Sequence, residues 1–163
     1  QVDFRHFTLE ETSPQAVVVG DLGTEWDFTR LNAAFRHLMD GAEFVALHRN
    51  PYWDTGQGLA LDAGSFVTAL EYATGREAML VGKPSAAFFQ AAAEAMGVEP
   101  FNMAVVGDDL GTDVAGALSC DAAAILVKTG KSQEIDLSRR KPKPDLVLDS
   151  IASLPTALGV KFG

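Results

Sequence analysis

MAVVGDDLGTD, residues Met103–Asp113, runs from an apolar strand straight into a group of carboxylates. The β-branched content of Met103–Val106 reads as a strand, and Gly107 lets the backbone turn at its end. Asp108 and Asp109 then stand at the strand's carboxyl edge, with Asp113 about one helical turn further on. Ligands of open α/β sheets gather at that edge. Carboxylates converging there repel one another unless a cation lies among them, and hard oxygen donors suit Mg2+. The same residues admit a plainer reading, in which Asp109 caps the following helix and Asp113 is solvated. For an isolated GDD after a strand the two readings weigh about equally.

An upstream strand, Ala78–Val81, bears on that balance. It leads into Gly82-Lys83-Pro84, so Lys83 also falls at a carboxyl edge, and Pro84 fixes the turn and starts the next helix, Ser85–Met96, which Gly97 closes. A lysine there supplies the local cation for a phosphate and would stabilise charge developing on phosphoryl oxygens. Taken alone, it reads rather as a surface lysine in a turn, the usual place of Lys.

The rest of the chain alternates strands and helices, the signature of an α/β fold. Ala16–Val19 reads as a buried strand. Asp27 N-caps a helix with Leu31, Ala34, Phe35 and Leu38 on its apolar face, stopped by Gly41. A strand, Glu43–Leu47, precedes a loop or hairpin over His48–Gly58, and a helix over Ser65–Thr74 ends at Gly75. Beyond the carboxylates come a helix, Thr112–Ser119, a strand, Ala123–Val127, and a basic, Pro-containing loop, Lys128–Pro144. A short strand, Leu146–Leu148, and a mostly helical Ser150–Leu158 follow.

With 163 residues, 47% of them hydrophobic and 21% charged, the chain is long enough for one globular core or one and a half. Its net charge of −9 argues against a nucleic-acid partner, and any anionic substrate needs a focused cation. The single Cys120 has no internal disulfide partner, which fits a reducing compartment. No apolar stretch approaches the roughly 18 to 20 residues of a membrane span, and no signal-peptide pattern opens the chain. The expectation is a cytoplasmic protein with no membrane partner. The start at Gln1 and the polar run to Pro14 read as an upstream cut.

VGKPSAAFF (81–89) and VVGDDLGTDVAGA (105–117), with a helix between them, resemble the lysine and metal motifs of the haloacid-dehalogenase (HAD) superfamily of phosphatases. FRHLMDGAEFVALHRNPYW (35–53), GLALDAGSFVTALEYATG (58–75) and ILVKTGK (125–131) extend the likeness over nearly the whole chain, toward the class IIA branch. That branch includes p-nitrophenyl phosphatases and phospholysine phosphohistidine inorganic pyrophosphate phosphatase-like proteins. The resemblance implies the later part of a class II (C2) α/β cap over residues 1–75 and the later part of a Rossmann-like parallel-sheet core over 76–163. It implies Lys83 as the lysine that orients phosphate and nucleophile, Asp108 as the direct Mg2+ ligand, Asp113 as a supporting carboxylate and Asp109 as their neighbour. His48 and Arg49 fall on the cap loop that shapes the substrate pocket. Arg49 is the stronger specificity candidate, because guanidinium matches planar or doubly charged oxyanions. Tyr52 and Trp53 read as loop and packing residues, and His6 and His37 as structural or solvated.

The family opens with DxDGT, whose first Asp attacks phosphorus and whose second serves as acid and base, followed by a Ser or Thr motif. These 163 residues contain neither. Their nearest imitation, VVVGDLGT (17–24), has Gly23 two residues after Asp21 and falls in the cap. The resemblance therefore implies a Mg2+-dependent phosphatase of small phosphorylated substrates, working through an aspartyl-phosphate, whose nucleophile segment is missing here and which is inactive alone. The alternative is a catalytically inactive binding or dimerisation module. A receiver-type domain fits less well, because there the acid pair precedes the lysine. Without the DxDGT strand, Met103–Val106 should present an unpaired edge, so the chain is expected to form a homo-oligomer or to pair with that N-terminal segment.

Overall fold

Two aspartates start helices as their position before an apolar run dictates: Asp27 Oδ1 accepts the Arg30 amide at 2.7 Å, and Asp62 Oδ1 accepts that of Ala63 at 2.7 Å. Two glycines stop helices, Gly75 at φ +66° and Gly97 at φ +67°, in the left-handed region that costs other residues most. The protein is described by a computed structural model over residues 6–132, 137 and 139–159. The start of the N-terminal lead-in and part of the Lys128–Pro144 loop lie outside the described residues.

The chain divides into two compact units, Gln1–Val81 and Gly82–Gly163. In the first, β1 (Ala16–Val19), α1 (Phe28–Met39), β2 (Glu43–Ala46), β3 (Tyr52–Asp54), β4 (Leu59–Leu61), α2 (Ala63–Thr74) and β5 (Met79–Leu80) follow in order. A parallel sheet runs β1-β2-β5, and β3 with β4 forms an antiparallel hairpin that begins in the segment expected to be a loop or hairpin, His48–Gly58, with β4 just beyond it. The division falls at 81/82 rather than 75/76, because β5 pairs with β2 and so belongs to the first sheet. β1 has the expected bounds but is not a buried strand. It lies at the sheet edge, so Ala16 and Val18 face outward and only Val19 is buried.

The second unit holds α3 (Ala86–Met96), β6 (Ala104–Gly107), a π-helical turn over Leu110–Val114, α4 (Ala115–Ser119), β7 (Ala123–Val127), β8 (Leu146–Leu148) and α5 (Leu154–Ala157). Its sheet is also parallel, in the order β6-β7-β8. The α/β expectation with parallel sheets is met in both units. Pro84 does not open α3: the turn at Gly82–Ser85 is closed by the Ser85 amide on the Gly82 carbonyl at 2.9 Å, and helix begins at Ala86. Gly116 lets α4 pack against Phe89 of α3, since a Cβ there would lie 2.0 Å from the ring.

Each unit has its own core. Val19, Leu38, Phe44, Val67 and Leu70 fill the first, and Phe89, Met103, Val114, Ala117 and Leu126 the second. Leu38 is 1% exposed, so Leu38→Ala should cost about 2–5 kcal/mol in a urea melt. Val18 is 44% exposed on the edge strand, and Val18→Ala should cost under about 1 kcal/mol. Equal costs would mean that β1 is not at an edge.

Candidate functional site

The candidate site lies at the carboxyl edge of β6. Gly107 ends the strand, Asp108 and Asp109 follow, and the π-helical turn then places Asp113 back over the strand end. In that turn the Asp109 carbonyl accepts from both Asp113 N, at 2.9 Å, and Val114 N, at 3.2 Å. One-turn π segments inside helices recur at functional sites. The close approach is possible only because residue 107 has no side chain: a Cβ there would lie 2.1 Å from Asp113 Oδ2 and 2.4 Å from its Cβ.

Asp113 is the centre of the cluster. Its Oδ1 accepts from Lys83 Nζ at 2.7 Å, and its Oδ2 from the Asp109 backbone N–H at 3.2 Å. The carboxylate is 8% exposed and the lysine side chain 45%, so the pair joins a buried anion to a cation that still reaches solvent. Burying a carboxylate without such partners costs several kcal/mol. Asp113 is thus neither solvated nor a lone ligand, and it holds Lys83 in place. Asp109 Oδ1 accepts from the amides of Gly111 at 2.8 Å and Thr112 at 3.2 Å, the capping role that was the plainer of its two readings.

The oxygen donors suit Mg2+ in kind. In number they are incomplete, for among the described residues no group of three or more His, Cys, Asp or Glu side chains gathers as a metal site. Asp113 is engaged by Lys83, and Asp109 by two amides.

The structure gathers Lys83, Asp108, Asp109 and Asp113 into the second unit. His48 and Arg49 lie in the first, each near a carboxylate of that unit. Arg49 Nη2 donates to Glu71 Oε2 at 2.5 Å, while Glu71 Oε1 accepts the Ala78 amide at 2.9 Å, tying the loop after β2 to α2 and β5. His48 Nε2 lies 3.6 Å from the buried Asp62. Tyr52 and Trp53 stand exposed on the hairpin. Asp21, in the imitation motif, holds a turn by accepting the Gly23 amide at 2.7 Å. Sequence reasoning passed over Gly130 and Ser132, which meet Asp108 from the loop after β7; the glycine in ILVKTGK was the only signal.

A family model described as HAD-hydrolase-like matches residues 80–154. Human haloacid dehalogenase-like hydrolase domain-containing protein 2 is 43% identical over 142 residues, covering 87% of this chain and 55% of its own length. Human phospholysine phosphohistidine inorganic pyrophosphate phosphatase is 37% identical over 146 residues, covering 88% of this chain and 54% of its own. Among solved structures, 4-nitrophenylphosphatase from Thermotoga maritima matches with TM-score 0.86 at 33% identity, over 94% of this chain and 59% of that one. Glycerol phosphate phosphatase from Mycobacterium tuberculosis, solved in complex with magnesium, matches with TM-score 0.79 at 31% identity, over 88% and 44%. The chain spans about half the length of the curated relatives it matches.

The contact between Gly107 and Asp113 gives a sharp test. Gly107→Ala should destabilise the protein by about 1–3 kcal/mol, because the added methyl displaces a buried, ion-paired carboxylate. A melt unchanged within about 0.5 kcal/mol would mean that Asp113 does not lie over the strand end.

Proposed function

We propose that this chain, similar to HAD-like hydrolases over residues 80–154, supplies the lysine and metal-holding half of a phosphatase site for small phosphorylated substrates. The observation that carries this reading is the Lys83–Asp113 pair at 2.7 Å, on the same compact unit as Asp108. Tethered to Asp113, the Lys83 ammonium is fixed before substrate arrives. Its charge offsets that of the phosphoryl oxygens and does so most strongly as charge builds in the transition state. Asp108, with Asp113 and Asp109 in support, would hold Mg2+, whose charge when bound further offsets that of the phosphoryl group.

The nucleophile in this reading is the aspartate of a DxDGT segment outside these 163 residues. Its carboxylate oxygen bonds to phosphorus as the ester oxygen leaves, and water then cleaves the aspartyl-phosphate to give inorganic phosphate. The chain alone is then inactive. Gln1–Val81 serves as cap and Gly82–Gly163 as core, and the cytoplasm is the proposed compartment. A second reading is an inactive binding or dimerisation module.

Hydrolysis of p-nitrophenyl phosphate with Mg2+ separates the two. The chain joined to an upstream DxDGT segment should turn over, and Lys83→Met in that form should lower turnover by roughly two or more orders of magnitude with the fold intact. No turnover in the joined form would favour the inactive module, and near-normal turnover by Lys83→Met would return Lys83 to the surface.

Association follows from the same reading. Among the described residues β6 pairs only with β7, and open strand edges recruit other chains. We therefore expect sedimentation at low micromolar concentration to show self-association, relieved when the upstream segment is supplied. A cooperatively melting monomer would contradict it.

A further inference from the structure

Parallel pairing of β6 with β7, in the register Gly107↔Leu126, leads the chain that follows Val127 past the carboxyl edge of β6. Two residues of that loop act on Asp108 in different ways. Ser132 is 2% exposed, and its hydroxyl donates a hydrogen bond to the backbone carbonyl of Asp108. Gly130 has φ +60°, and a Cβ there would lie 2.0 Å from Asp108 Oδ2 and 3.0 Å from its Cγ. The hydroxyl thus holds the main chain of Asp108, and the missing side chain leaves room for its carboxylate.

Neither feature is what packing alone would select. A buried hydroxyl costs free energy unless it is hydrogen-bonded, and an apolar side chain would fill the same space without that cost. A glycine in the left-handed region is common in turns, but here an added Cβ would also overlap a carboxylate oxygen of Asp108. Both residues make sense together if the orientation of Asp108 matters.

We propose that Gly130 and Ser132 are positioning residues for Asp108, fixing its carboxylate in the orientation that holds a divalent cation at the carboxyl edge of β6. This rests on the reading of Asp108 as the metal ligand. Neither residue touches substrate. Outer partners of this kind tune metal affinity rather than supply donors.

Mn2+ is a suitable probe, because its unpaired electrons broaden nearby amide signals even when binding is weak. The chain, Asp108→Asn, Ser132→Ala, Ser132→Thr and Gly130→Ala would each be titrated with Mn2+, following the amides of Gly107, Asp108 and Asp109. Melting temperatures without metal would be taken in parallel. Ser132→Ala should weaken Mn2+ binding about tenfold, Gly130→Ala by at least as much, and Ser132→Thr, which keeps the donor, should restore it. Broadening lost in Asp108→Asn but unchanged in both Ser132→Ala and Gly130→Ala would overturn the positioning role while leaving the reading of Asp108 intact. Equal weakening in Ser132→Ala and Ser132→Thr, tracking equal losses of melting temperature, would also overturn it by reducing Ser132 to packing. Broadening that survives Asp108→Asn, or is absent from the unsubstituted chain, would overturn the reading of Asp108 and the proposal with it.

Discussion

An ammonium and a carboxylate at 2.7 Å, the first half-exposed and the second buried, set the geometry of the second unit's carboxyl edge. Asp113 tolerates burial because Lys83 and the Asp109 amide between them occupy both of its oxygens. That requirement reaches outward. Residue 107 must be glycine to leave the carboxylate space, the turn after Asp109 must widen to bring Asp113 back, and the Gly82–Ser85 turn must hold Lys83 within reach. The pair therefore acts as scaffold and as pre-oriented charge at once.

Much of this was legible in the sequence because the signals were local. Ala16–Val19, Ala123–Val127 and Leu146–Leu148 are strands with the bounds their β-branched runs indicate, and the glycines at 75 and 97 end helices where expected. Lys83 and Asp108 stood out because each follows a strand that ends in glycine. Other features depend on partners far along the chain. Arg49 looked like a substrate contact, and nothing in its neighbourhood announces Glu71, 22 residues away. β5 looked like the start of the second unit until its pairing with β2 assigned it to the first. The π-helical turn has no compositional mark, and Ser132 sits among charged residues in a segment that reads as solvated loop.

The acidic balance of the chain gives the lysine added weight. At a net charge of −9 the surface as a whole disfavours anions, so a phosphate group would be drawn only where a cation is held in place. The chain corresponds to about half the length of the human hydrolase domain-containing protein and the human phosphatase to which it is similar. In the proposed function the bond-forming group lies in the other half, next to the open edge of β6.

In the proposed function Lys83 and Asp108 face one phosphoryl group and its cation. Anomalous scattering from crystals of this chain soaked with Mn2+ and tungstate tests it most directly, because each atom reports its own position. A manganese peak is expected at the Asp108 carboxylate and a tungsten peak within hydrogen-bonding reach of Lys83 Nζ. Manganese away from Asp108, or tungstate held elsewhere while Lys83 is bypassed, would contradict it.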